Sequence, residues 1–246
     1  MSQPAAGSDS RFLATLQVLI LFIGGLVGAS FAVSAWEGAA GSLGIAAGTT
    51  ASQLLRTVIQ FAGFSAPVLL FVAAAGDRSL LPFERPGRRE VLLIVGGFVG
   101  LYALQYGLLT ALGAVGVQPV QNRAIDPETH APVYFLWMVL VSILVVGPAE
   151  ELLFRGAIQG LLKRAWGAWP AIVGAAALFG SLHYSVGSGP VSGALAYVFV
   201  AFLMGAVLGL LYERTENLVV PALAHGLFLG ASSPSAVVRR LRLAYR

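Results

Sequence analysis

Glu150, Glu151 and Arg155 fall within six residues of one another, inside an apolar run that begins near Ala131. A charge at the centre of a bilayer costs roughly 2.5–3.5 kcal/mol on insertion scales, so a chain that places three there needs a partner arrangement or a chemical use for them. His183 and His225 are two further ionisable residues in apolar segments, whereas His130, the third histidine, sits in a polar stretch. A carboxylate can take a proton from water and an imidazole can hold or activate that water. Glu150, His183 and His225 are also zinc-ligand types, able to leave one position for water. Glu151 and Arg155 are four apart and can pair on one helix face. Glu150 points about 100° away from Glu151 and is free to face a cavity. Phe179 and His183, also four apart, share a face.

The elements that must position these residues read as membrane helices. The chain has 246 residues, of which 57% are hydrophobic and only 11% charged, with a mean hydropathy of +0.83. A soluble domain is nearer a quarter charged. Several apolar runs exceed the roughly 20 residues that cross a bilayer core. The alternating ten-residue segments of a membrane β-barrel are absent. The reading is an all-α, polytopic bundle of about seven to eight transmembrane helices in a cell membrane. With no cysteine in the chain, disulfides, thiolate catalysis and cysteine metal sites are excluded.

Expected helices cover about 12–35, 52–75, 91–115, 132–162, 169–184, 191–212 and 218–230. The run after Arg11 reads as a retained first helix, and Pro67 predicts a kink in the second. The fourth segment is too long for a simple span: it is tilted, broken near Gly147-Pro148, or extended into the aqueous phase. Residues 1–11 read as a disordered N-terminus, 12–130 as N-terminal spans, 131–232 as the helices bearing the Glu and His residues, and 233–246 as a basic tail, all in one integral membrane domain. The net charge of +4 resides in loop and tail arginines. That pattern fits topology and anionic lipid heads, not nucleic acid. The positive-inside rule places the N-terminus, the Asp77–Glu90 loop and Lys163-Arg164 in the cytoplasm. Measured from that side at about 1.5 Å per residue, Glu150 lies about 20 Å deep, His183 about 21 Å and His225 about 12 Å, compatible with one shared cavity.

Glu150-Glu151-x-x-x-Arg155, then Phe179-x-x-x-His183, then His225 occur in that order on successive late helices. Pro148 precedes the Glu pair, Gly156 follows Arg155, and Glu213–Leu218 leads to Pro221 and His225. Over about 133–230 this resembles the CPBP family of intramembrane metalloproteases, which includes the type II CAAX prenyl endopeptidases and bacteriocin-processing or immunity relatives. The resemblance implies an endopeptidase whose Glu150 and His183 position and activate the hydrolytic water. Glu151 would hold Arg155 and tune Glu150, and His225 would stabilise the oxyanion or complete the site. Arg155 and Phe179 would be structural support. Zinc is the implied metal, on Glu150, His183 and His225, and a metal-free, Glu-dependent route stands beside it. The implied substrates are prenylated (CAAX-type) peptides, leader peptides or membrane-anchored proteins, reached from the cytoplasmic side. One position departs from the pattern: the third motif usually carries Asn or Asp four residues after its histidine, and this chain has Leu229. That residue favours the alternative of a non-catalytic scaffold or immunity-type protein of the same fold. A proton-coupled transporter is a third reading, though the sequence shows no paired inverted halves.

Overall fold

The computed structural model describes residues 8–120, 126, 130–185 and 189–244; of Ser185 and 233–244 it describes the backbone course alone. Among the described residues the chain is helical and has no strand. We number the helices α1 (Ser8–Ala40), α2 (Thr50–Ala75), α3 (Arg88–Ala114), α4 (Pro132–Trp166), α5 (Ala168–Leu182), α6 (Val191–Thr215) and α7 (Val219–Ala244). Helices α1, α2, α3, α4 and α6 are long and apolar enough to cross a membrane, whereas α5 and the Val219–Ser232 part of α7 are shorter apolar helices. The polytopic helical bundle read from composition is therefore the observed fold. The expected disordered segment 1–11 lies outside the described residues up to residue 7, and α1 already begins at Ser8. The tail arginines from Arg239 onward have no described side chains.

α4 is the central element, and its length has a local cause. It is continuous, neither broken nor ended at Gly147-Pro148, but two stretches are π-helical: Ser142–Val146 and Leu152–Gln159. Proline has no N–H to give and its ring crowds the carbonyl four residues back. The π turn just before Pro148, where Gly147 N–H bonds to Ser142 O, takes up that mismatch without breaking the rod. The second π stretch carries Arg155 and Gln159, both fully buried.

Around α4 the other helices bury their apolar faces. Leu153, Phe154 and Ile158 of α4 pack with Val18 and Leu21 of α1, Phe64 and Val68 of α2, and Phe179 of α5. A second cluster joins α3, α6 and α7 through Leu101, Leu208, Ala224 and Phe228. Small residues let backbones touch where lipid supplies no hydrophobic drive for helices to associate. A Cβ on Gly226 would come within 2.8 Å of Ile143 Cα and 2.9 Å of Ser142 O, and one on Gly147 within 2.8 Å of Gly226 N. That backbone contact sets α7 hard against α4 beside the Glu pair.

The charged 77–90 segment docks on the bundle. Leu80, 1% exposed, lays its side chain against Gly160 on α4, while the Leu81 side chain and the Leu80 carbonyl lie against Gly156. Asn217 then ties the segment to α7: its Oδ1 accepts from Glu84 N–H at 3.2 Å and Val219 N–H at 3.1 Å, and its Nδ2 donates to Glu84 O and Glu90 Oε1, each at 3.1 Å. One amide thereby caps α7 and fixes where it starts. Leu218 lies against Gly156, ten residues short of the end of α4, or about 15 Å along its axis. This recessed start brings His225 level with Glu151, although counting residues from the loop put it nearer the surface.

Candidate active site

The expected residues lie on α4, α5 and α7, and most of them converge. Glu151 is fully buried, and its Oε1 accepts two hydrogen bonds, from Arg155 Nη1 at 3.1 Å and from His225 Nδ1 at 2.8 Å. Glu150, one residue earlier and so turned to another face, puts Oε2 3.6 Å from His225 Nε2. A carboxylate on Nδ1 fixes the His225 tautomer with its proton there, so Nε2 presents a lone pair beside Glu150.

His183 closes the end of α5. Its Nδ1 donates to Phe179 O at 2.8 Å, which likewise leaves Nε2 as the available nitrogen. It reaches the others through Phe179, whose ring centroid lies 4.7 Å from His183 and 5.6 Å from His225. The Arg155 guanidinium stacks over the same ring at 5.0 Å. Phe179 is thus the hub on which both histidines and the arginine are arranged. His130, read from sequence as a loop residue, stacks on Tyr134 with centroids 4.1 Å apart and takes no place in the site.

Sequence reading missed what holds Arg155. Its Nη2 donates to Gly205 O at 2.7 Å, and one turn on, Gln159 Nε2 donates to Gly209 O at 3.1 Å. Glu151, Arg155 and Gln159 form an i, i+4, i+8 row on α4 facing Gly205 and Gly209 on α6. A Cβ on Gly209 would stand 2.9 Å from Gln159 Oε1 and one on Gly205 3.1 Å from Phe179. The pair of glycines four apart was the available signal for this close approach. Within the row Glu151 Oε2, Arg155 Nε and Gln159 Oε1 make no hydrogen bond to a protein group. Such buried unmet polar atoms are uncommon and concentrate where structure serves function.

The donor types suit zinc, and each imidazole has its Nδ1 held by an oxygen, as ligating histidines do. The convergence does not extend that far: among the described residues no three His, Asp or Glu side chains gather closely enough to hold a metal ion. As arranged, Glu150, His183 and His225 are not a ligand set, and no step below runs through a metal. A cavity of about 700 Å³ lies between the end of α1 and the start of α2, lined by Trp36, Glu37 and Arg56, away from these residues.

The family Type II CAAX prenyl endopeptidase Rce1-like matches residues 132–229, from the start of α4 to just past His225. Over those residues the chain is similar to the Rce1-like members of the CPBP family. The matched stretch holds every residue placed in the site above, together with the Gly205 and Gly209 carbonyls that brace it. Helices α1 to α3 lie outside it. No curated protein and no solved structure matches the chain.

Proposed function

We propose that the protein is an intramembrane endopeptidase that hydrolyses a peptide bond with water activated by Glu150. The observation that carries this reading is the division of labour in the Glu pair. Glu151 is committed to Arg155 and His225, while Glu150 is left beside His225 Nε2 with no other partner assigned to it. A water bridging Glu150 Oε2 and the imidazole can lose a proton to the carboxylate as its oxygen attacks the peptide carbonyl carbon. Breakdown of the tetrahedral intermediate breaks the C–N bond, and the proton held on Glu150 passes to the leaving amine. His183, through its free Nε2, orients the water or the developing oxyanion. Glu151 is a positioning residue: it holds the His225 ring and neutralises Arg155. Peptides or membrane-anchored proteins are the substrate class, with prenylated C-terminal peptides the first to try because of the family match. Access is from the cytoplasmic side on the charge pattern.

The test is neo-terminus profiling of membranes that carry the wild type or Glu150→Gln. Peptide ends present only with the wild type support the proposal; an identical set of ends from folded, inserted Glu150→Gln refutes it. The same assay after chelation, and with zinc restored, decides whether a metal takes part.

The second reading is a non-catalytic scaffold, favoured by Leu229. It predicts that Glu150→Gln leaves the cellular phenotype intact.

A further inference from the structure

The arginines of the 77–90 segment have so far been read as topology signals, but three cations surround one cavity. A space of about 340 Å³ between the start of α3 and the end of α6 is lined by Gly87, Arg88, Arg89, Glu90, Leu93, Arg214 and Thr215. Three guanidinium groups against one carboxylate make the lining cationic. That carboxylate is occupied: Glu90 Oε2 accepts from Gly87 N–H at 2.8 Å and Oε1 from Asn217. The acids flanking Arg214 are occupied too, since Glu213 and Glu216 both face Lys163, at 2.7 and 2.9 Å. Among the described residues Arg88, Arg89 and Arg214 have no carboxylate partner.

The surroundings specify more than an anion. Arg88 opens one membrane-length helix and Thr215 closes another, so the cavity sits at headgroup depth. Immediately along α3, Leu92 is 73% exposed, and Val91 and Val95 are about half exposed on the same helix. An apolar wall therefore continues from the cationic cavity into the bilayer. Guanidinium forks match phosphate oxygens, and basic pockets beside membrane helices suit anionic headgroups.

We propose that this cavity binds the phosphate of an anionic phospholipid, with Arg88, Arg89 and Arg214 around the headgroup and acyl chains along Leu92. Arg78 and Arg85 belong to the same segment but do not line the cavity, and they provide a charge-matched control.

The experiment uses the full chain in neutral detergent and follows the thermal unfolding midpoint as phosphatidylglycerol or phosphatidylcholine is added. Phosphatidylglycerol is expected to raise the midpoint of the wild type and of R78Q/R85Q, with R88Q/R214Q losing the rise. An equal rise with phosphatidylcholine, or an equal loss in both double variants, overturns the proposal in favour of general lipid or surface-charge effects. So does inorganic phosphate reproducing the whole rise, which would make the site one for free anions. As a check independent of the variants, fluorescently labelled phosphatidylglycerol bound to the wild type should be displaced by unlabelled phosphatidylglycerol and not by inorganic phosphate.

Discussion

Glu151 and His225, 74 residues apart in sequence, share a 2.8 Å hydrogen bond between Oε1 and Nδ1, and the same oxygen takes the Arg155 guanidinium. One buried carboxylate therefore orients the imidazole and offsets the cation. Glu151→Gln keeps the shape but loses the charge. It is expected to lower cleavage about 10–100-fold, the usual scale for a lost orienting carboxylate, with the chain still inserted. Neo-terminus yield, normalised to protein in the membrane, measures it.

Breaking the Glu151–Arg155 pair from one side should hurt more than removing both partners. Each side chain is fully buried, and a buried charge without its partner costs about 3–5 kcal/mol. Glu151→Met and Arg155→Met are each expected to destabilise on that scale, and the double variant by less than their sum. Denaturation of the three in detergent gives the coupling; strict additivity would show that the pair does not act as a unit.

Gly226→Ala tests the backbone contact that carries His225. The new methyl would press on Ile143 Cα at 2.8 Å, and neither backbone can yield without moving a helix. A displacement near 1 Å at a catalytic group costs about 10²-fold. Cleavage should fall by that order while thermal stability falls modestly; unchanged cleavage would separate α7 placement from activity.

How much of this was legible beforehand follows from what each signal depends on. Helix number and type came from hydropathy and length alone, because lipid demands apolar spans with every backbone bond met inside them. Glu150, Glu151, Arg155, His183 and His225 stood out because charge inside an apolar run is rare. The level of His225 did not, since it depends on Asn217 and Leu80 recessing the start of α7, a tertiary contact between segments 133 residues apart. Gln159, Gly205 and Gly209 escaped for a related reason: a glutamine and two glycines are ordinary until α6 is seen to present its carbonyls to α4.

Asn217→Ala should loosen the link between the 77–90 segment and α7. Four hydrogen bonds depend on this one side chain, among them the cap on Val219 N–H. Losing a cap costs about 1 kcal/mol, and the buried groups left behind add a similar amount. A drop of about 2–3 kcal/mol is expected. Asn217→Asp should not restore the loss, since it keeps the acceptor for Val219 but turns the donor to Glu84 O and Glu90 Oε1 into a carboxylate oxygen facing two acceptors.

Asp77 lies outside the spans, where the Arg164 hydrogen bond, helped by one from Ser79, holds its carboxyl down at about 2. A lowered acid stabilises the fold above its unfolded value of about 4 and loses that contribution as pH falls from about 4 to 2. Arg164 is exposed and Asp77 partly so, so the loss is expected to stay under about 1 kcal/mol and to shrink in salt. Asp77→Asn should remove the wild type's extra sensitivity in that window, read from unfolding midpoints at pH 5 and pH 2.5.

Leu229 is where the family's usual polar residue is missing, and its surroundings argue that the site is built without it. It packs against the α3–α6–α7 cluster of Leu101, Leu208 and Phe228, while the Nδ1 of His225 already has Glu151 as acceptor. Restoring the motif by Leu229→Asn would put an amide against that apolar cluster. A buried amide without a full set of partners costs about 1–3 kcal/mol. The variant is expected to be less stable and no faster at cleavage. A gain in neo-terminus yield over the wild type would show instead that the leucine limits the chemistry, and would move weight to the scaffold reading of the native chain.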